Sequence, residues 1–291
     1  MTEPSTTITL ATATPGGGFP LYGGVVAEVI AAIDPSLVVE TRNTKGSTEN
    51  VPLLEAGAMD IGLVQGEVAI EAFAAKSALT IVAAMYSTAG MFVVRGDSRY
   101  RRIADLKGQP VAFGARGSGL VILARYVLDG LGLDMERDFA AIYLDRAGDG
   151  PDMVLDGRAA ALWGGGIGWP GFSRVAEAGG RFIAPDAAEA AQIRAKHAFL
   201  KPLTVPGGAY PGQGAAIQSV GSWSFILARP DLPEETGYRL ARALDRGASV
   251  LAGKLDQAKE TTAANTEAAA PDPALIHKGV ARYLREIGAL S

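Results

Sequence analysis

The 291-residue chain contains no cysteine and only two histidines, His197 and His277. Without cysteine there is no disulfide framework, thiolate nucleophile, iron–sulfur cluster or cysteine zinc site. Two histidines are too few for a three-histidine metal centre. Both read as plain polar positions: His197 as a solvated helix end among Arg194, Lys196 and Lys201, His277 as part of a short polar stretch near the C-terminus. There is no basic tract, and the net charge of −4 with a pI near 5.4 argues against nucleic acid as a partner. Mean hydropathy is high at +0.17, yet no apolar run reaches the roughly 18 residues of a membrane span. The opening Met1-Thr2-Glu3-Pro4-Ser5 lacks the basic and apolar regions of a secretory signal. The chain therefore either works in the cytoplasm or has lost a signal. Phosphate-loop and G-x-S-x-G patterns are also missing. One G-x-G-x-x-G stands at Gly166–Gly171 with Asp186 downstream, but Trp169-Pro170 fills the place where backbone must approach a pyrophosphate.

What is present is glycine, 37 residues of it, together with an alternation of strand and helix signals. Ile8–Ala13 reads as a strand and Thr14–Gly18 as a turn. Leu21 to Ile33 has apolar residues every four positions, as a helix does, and Asp34-Pro35 ends it. Leu37–Thr41 is a second strand, Glu49–Ala56 a helix closed by Gly57, and Asp60–Val64 a third strand. The order predicts a parallel sheet with crossover helices. It recurs downstream as Val111–Phe113, the glycine turn Gly114–Gly119, the helix Leu120–Leu131, the strand Ala141–Leu144, the helix Asp152–Asp156 with Gly157, and the strand Ala160–Trp163. Two similar α/β lobes explain the recurrence. Further on, Asp186–His197 reads as a helix, Lys201–Gly214 as a long loop, Trp223–Ala228 as a strand, Glu234–Leu251 as a helix, Ala263–Pro273 as an Ala-rich connector and Ala274–Ile287 as a last helix. These final helices exceed what the second lobe needs, so the chain is expected to return to the first.

The two strand–glycine–helix units are the candidate chemistry. A helix N-terminus offers unpaired N–H groups and partial positive charge, and glycine lets a ligand approach the backbone. Arg116 beside Ser118 suits bidentate carboxylate binding. Glu49, Asp60, Glu67 and Asp152 read as helix-start or solvated charges. Tyr86 and Trp223 read as core, whereas Trp169 and Tyr210, set in Gly/Pro loops, read as ligand-facing.

The runs Thr12-Ala13-Thr14-Pro15-Gly16-Gly17-Gly18-Phe19, Gly46-Ser47-Thr48-Glu49-Asn50-Val51-Pro52-Leu53-Leu54 and Glu55–Gln65 resemble, in order, motifs of the TAXI family. So do Asp105–Gly108, Gly117-Ser118-Gly119 and Tyr210-Pro211-Gly212-Gln213. TAXI proteins are the solute-binding proteins of one class of TRAP transporters. The resemblance implies an α/β, two-lobed fold of the type II periplasmic-binding-protein kind: two parallel or mixed sheets flanked by helices, with hinge strands between lobes. Lobe I would comprise residues 1–95 plus 220–291 and lobe II residues 96–219. It implies a non-enzymatic periplasmic protein without cofactor or metal. Its ligand would be a small carboxylate, such as glutamate or another organic acid, held in the cleft and delivered to a TRAP-type permease. Carried over by position, Gly17, Gly18, Phe19 and Tyr22 would line one side, with polar contacts from Ser47, Glu49, Asn50 and Gln65. Arg116, Ser118, Gly119, Trp163 and Trp169 would face them, with Tyr210 and Gln213 at the rim. Phe19-Pro20 stands where the family often has two tyrosines and Leu120 where it often has threonine, so a bulkier or more apolar acid than glutamate is expected. An enzyme or a cytoplasmic ligand-sensing module on the same scaffold are the alternatives.

Overall fold

The computed structural model describes residues 5–290; Met1–Pro4 of the N-terminal run compared with a signal sequence lie outside the described residues. In chain order the elements are β1 (Thr6–Ala11), α1 (Gly18–Ile33), β2 (Leu37–Arg42), α2 (Ser47–Glu55), β3 (Ile61–Val64), α3 (Gly66–Ala74), β4 (Thr80–Ala89) and β5 (Met91–Val94). There follow β6 (Pro110–Ala115), α4 (Gly119–Gly130), β7 (Ala140–Leu144), α5 (Gly150–Leu155), β8 (Ala161–Gly164), α6 (Pro170–Glu177), β9 (Arg181–Ile183) and α7 (Ala187–Lys196). The chain ends with β10 (Lys201–Val205), β11 (Ile217–Ala228), α8 (Glu234–Arg246), α9 (Ala248–Lys254), α10 (Ala263–Ala269) and α11 (Lys278–Glu286). Two compact units result. One holds residues 1–13, 19–86 and 223–291; the other holds 14–18 and 87–222.

In the first unit β1 lies between β2 and β3, parallel to both, and the second half of β11 adds antiparallel to β3. In the second unit β6 lies between β7 and β8, parallel to both; β5 adds antiparallel to β8, and β9 to β5. The two sheets thus share one strand order. Gly57 and Gly157, which close α2 and α5, both have positive φ, 66° and 85°, the left-handed backbone that ends helices at glycine.

The first unit's core gathers Leu10, Tyr22, Val26, Ile30, Leu63 and Ile226 from sheet and α1, with Leu240, Val280 and Leu284 from α8 and α11. The second unit has a core on each sheet face. β5 shows why: Phe92 and Val94 enter one cluster, Met91 and Val93 the other, as the two-residue period of a strand requires. On the second face lie Trp169, Phe172 and Tyr210.

Several expectations are corrected. The long loop assigned to Lys201–Gly214 begins with a true strand: β10 pairs antiparallel with the first half of β11, from Lys201↔Gly221 to Val205↔Ile217. Its alternation is masked by Pro202, tolerated because β10 is an edge strand. The Ala-rich connector contains α10, capped by Thr262, whose side chain accepts the Asn265 N–H. The helix read over Glu234–Leu251 is two helices meeting at Gly247, where an added Cβ would stand 2.3 Å from Val29 Cγ1. The stretch from Gly66 to Gln109, without an element in the sequence reading, carries α3, β4 and β5.

Neither histidine is a plain solvated position. His197 is only 15% exposed in its side chain, with Nε2 2.7 Å from Asp129 Oδ2 and its ring between Tyr126 and Phe199. His277 is buried and caps α11: Nδ1 accepts the Gly279 N–H at 3.2 Å and Nε2 lies 3.0 Å from the Leu232 carbonyl. Asp60 is not simply solvated either. It accepts the Thr9 N–H at 2.8 Å and Thr9 hydroxyl at 2.9 Å, and pairs with Arg229 at 3.0 Å, so it ties β1 to the chain beyond β11. Desolvation pushes its carboxyl up, but the Thr9 and Arg229 hydrogen bonds together hold it below the ordinary value.

Candidate functional site

The strongest candidate lies in the first unit, at the carboxyl ends of its parallel strands. Helices α2 and α3 start there, and neither receives a side-chain cap. A helix start at the carboxyl end of a parallel strand carries the partial positive charge of the helix dipole.

Asn50 builds the corner. It is fully buried and donates to the Thr12 carbonyl and the Leu63 carbonyl, both at 2.8 Å, while its Oδ1 accepts the Thr44 hydroxyl at 2.7 Å. One amide thereby ties the ends of β1 and β3 to the loop that starts α2. Glu49, in the first turn of α2, accepts the Lys45 N–H at 2.5 Å and closes the same loop. Ser47, the first residue of α2, is buried and accepts the Gln65 N–H at 3.0 Å. That leaves its hydroxyl hydrogen available to donate.

Gln65 is 3% exposed. Its Oε1 accepts the Ser224 hydroxyl at 3.2 Å, and its Nε2 is buried with no hydrogen-bond partner. A buried amide N–H without a partner costs about 1–3 kcal/mol, which makes Gln65 Nε2 the candidate donor of this corner. Glu67 is buried in the first turn of α3, where the helix dipole favours a carboxylate.

The remaining expected residues of the first unit are placed differently. Gly18 opens α1, and Phe19 packs against the core. Tyr22 is fully buried; its hydroxyl meets Thr261 Oγ1 at 2.9 Å and its ring meets Tyr86 edge-on at 5.3 Å. Burial pushes its phenol well above the ordinary value.

In the second unit the residues fall into four groups. Ser118 caps α4 by accepting the Leu120 N–H at 3.2 Å, and Gly119 opens that helix. Arg116 is exposed, with its guanidinium 4.0 Å from the Tyr143 ring centre. Trp163 is core: it is buried, donates to the Leu120 carbonyl at 2.8 Å and packs edge-on against Phe92.

Trp169, Tyr210 and Gln213 form the fourth group, and Gly17 belongs to the same unit through the Thr14–Gly18 turn. Trp169 lies against Gly164 and Gly171, where an added Cβ would come within 2.6 Å of the indole, and its N–H points to the Gly16 carbonyl at 3.4 Å. Tyr210 is buried and donates to the Gly166 carbonyl. Gln213 closes its own loop by donating to the Pro206 and Ala215 carbonyls and accepting the Tyr210 N–H. Trp169 and Tyr210 brace the loop around Gly164–Gly171, and Gln213 braces its own.

Thr12, Thr44 and Ser224 belong to the first-unit cluster but were not singled out from sequence. Ser224 carried a signal: it is a hydroxyl inside the apolar run Trp223–Ala228. Among the described residues no group of three His, Asp or Glu side chains could hold a metal, and no helix is long and apolar enough to cross a membrane.

The model of the NMT1-like family matches residues 10–288. Among solved structures, MatC from Rhodopseudomonas palustris with bound malate gives a TM-score of 0.63 at 15% identity, covering 95% of this chain and 97% of that one. The alkanesulfonate-binding protein SsuA from Xanthomonas axonopodis pv. citri bound to MOPS gives 0.51 at 16% identity, over 91% and 83%. The effector-binding domain of QuiR in complex with shikimate gives 0.55 at 8% identity, over 88% and 98%. At such identities the likeness is one of fold: two α/β sheets with flanking helices, as in type II periplasmic binding proteins.

Proposed function

The chain belongs to the NMT1-like family, and from that membership we propose that it is a solute-binding protein, not an enzyme. In this reading it captures a small organic anion outside the cytoplasm and delivers it to a membrane permease. The observation that carries the anion is Gln65: a buried amide N–H without a partner, beside the Ser47 hydroxyl and the uncapped starts of α2 and α3. The amide N–H and the hydroxyl can both donate, and the helix dipole at these starts favours an anion. The malate of MatC and the MOPS of SsuA are both organic anions, which supports the class. The ordered TAXI-like motifs support a carboxylate as the anion and a TRAP-type permease as the partner. Binding stabilises the ligand-competent form only by contacts that form makes and the free protein does not, and satisfying Gln65 Nε2 is such a contact.

The test begins with native mass spectrometry of the protein as purified, which reads the mass of any retained acid. Calorimetry with that acid, or with L-malate, then compares wild type with Gln65→Ala. Loss of one hydrogen bond to a charged group predicts roughly 10- to 100-fold weaker binding. Equal affinities of the two proteins, or no anion retained and none binding, refute the reading.

A further inference from the structure

We propose that Tyr86 is a specificity-determining residue of the first unit, whose phenol hydroxyl donates to the ligand's anionic group beside Gln65 Nε2, so that two neutral donors hold two oxygens of one acid group. The inference rests on the solute-binding reading above and adds a residue to it.

Tyr86 differs from the other buried tyrosines in its hydroxyl. Tyr22 meets Thr261 Oγ1 at 2.9 Å, Tyr210 donates to the Gly166 carbonyl, and Tyr283 donates to Asp245 at 2.7 Å. Tyr86 is 4% exposed, and among the described residues its hydroxyl has no hydrogen-bond partner. Its ring has a packing role, the edge-on contact with Tyr22 at 5.3 Å, which a phenylalanine ring would fill equally well. Packing alone therefore gives no reason for the oxygen, and the hydroxyl is left for a group from outside the chain.

The strands set Tyr86 and Gln65 on either side of Ser224, and all three belong to the first unit. β4 pairs with β11: the Gly90 N–H donates to the Val220 carbonyl at 3.0 Å, and Gly221 lies against the Thr88 carbonyl. As β11 advances from Val220 through Gly221, β4 runs back from Gly90 through Thr88, and two residues further Tyr86 comes beside Ser224. The side chains share a face, since Ser224 alternates with Ile226, which enters one core with Tyr22 and Tyr86. On the other side of β11 is β3, where Val64 pairs with Phe225 and Gln65 Oε1 accepts the Ser224 hydroxyl at 3.2 Å. Opposite residues of neighbouring strands have Cβ atoms about 4.5–5.5 Å apart, so donors flanking Ser224 are within reach of one anionic group.

The three side chains have distinct parts. The Ser224 hydroxyl is engaged by Gln65 Oε1, which fixes the amide and leaves Nε2, buried and without a partner, as one donor. Burial, then the neighbouring Tyr22, pushes the Tyr86 phenol above its ordinary value, so the group stays protonated and donates as the second. Tyr22, its ring neighbour, is already engaged by Thr261 and positions the Tyr86 ring without competing for the ligand.

Calorimetry with L-malate and with ethanesulfonate compares wild type, Tyr86→Phe and Gln65→Ala, and tyrosine difference absorbance follows the same titrations. Tyr86→Phe keeps the ring against Tyr22 and removes only the hydroxyl. Without ligand it should melt as wild type does, and it should bind roughly 10- to 100-fold more weakly, the scale of one hydrogen bond to a charged group. Ligand should perturb the tyrosine absorbance of wild type and leave that of Tyr86→Phe unchanged. A Tyr86→Phe protein that binds as well as wild type while Gln65→Ala binds less well overturns the proposal and leaves the solute-binding reading standing. Weaker binding that comes with a lowered melting temperature and a tyrosine signal that persists in Tyr86→Phe would show a packing role and overturn it too. If neither probe binds wild type, or both variants bind as wild type does, both readings fail together.

Discussion

Asp34 sits where α1 gives way to β2, 8% exposed, and is the acidic partner of a buried clamp to α8. Arg239 donates from Nε and Nη2 to its two oxygens, each at 2.8 Å, and reaches Ser36 Oγ at 2.6 Å as well. The Ser36 hydroxyl adds a further bond at 2.9 Å, and Arg242 stands 3.5 Å away. The Arg239 hydrogen bonds, against the opposing effect of burial, hold the carboxyl at about 2 from an ordinary 3.8. One pKa unit corresponds to about 1.4 kcal/mol, so the depression contributes at most about 2.5 kcal/mol, and on the order of 1–2 kcal/mol after solvent screening. Because the folded value is the lower one, this stability is present above the unfolded value and is lost as pH falls from about 4 through about 2. Asp34→Asn removes the charge and leaves the Arg239 guanidinium, 15% exposed in its side chain, without its carboxylate. We expect a loss of roughly 2–4 kcal/mol at pH 7 by urea unfolding. The gap between wild type and variant should shrink by about 1–2 kcal/mol between pH 5 and pH 2.5. A gap that is constant over that range, or below about 0.5 kcal/mol at pH 7, would refute the account of the clamp.

Three further outcomes follow from packing. An Ala at position 279, normally a gain inside a helix, should here cost more than about 2 kcal/mol, because its Cβ would stand 1.8 Å from the Glu234 carbonyl oxygen; the melting temperature reads it, and a stabilised Gly279→Ala would show that α8 and α11 do not pack this closely. Trp163→Phe should cost about 1–2 kcal/mol through the lost bond to Leu120 and leave ligand affinity unchanged in calorimetry; weakened binding with intact stability would return Trp163 to the pocket. Asn50→Ala should cost about 2–3 kcal/mol by removing the amide that joins the Thr12 and Leu63 carbonyls, seen as a lower urea midpoint, and should also weaken anion binding, since α2 loses its anchor; unchanged affinity in a folded variant would separate the corner from the site.

The parts of the fold legible in sequence are those with a local cause. β1, α1, β2, α2 and β3 follow from apolar spacing and from glycine or proline at each hand-over, and the same holds for β6 to β8. β10 and α10 were hidden because their support is not local: one is a proline-bearing edge strand completed by β11, the other an Ala-rich helix whose Thr266 hydroxyl accepts the distant Ala84 N–H. At the site, Ser47, Asn50 and Gln65 could be named because their motif is contiguous. Which of them braces and which is left open could not, since Asn50 and Gln65 carry the same side-chain amide. Only the carbonyls of Thr12 and Leu63, brought together by strand pairing, distinguish them. Trp169 and Tyr210 were named for standing in Gly/Pro loops; the packing of their rings could not be read locally, since Gly164 and Gly171 leave the space that the Trp169 ring fills.

The shared strand order of the two sheets has a consequence for the nascent chain. The sheet of β5 to β9 is drawn from one uninterrupted stretch and is complete once Ile183 has left the ribosome. The other sheet begins with the sixth residue but receives its antiparallel strand only when Phe225–Ala228 has been made, and its outer helices α8 and α11 later still. Closing so long a loop of chain is slow relative to local pairing. Synthesis therefore runs against the usual order in which the leading domain folds first: the portion that emerges first waits, with the β3 edge uncovered, for the portion that emerges last.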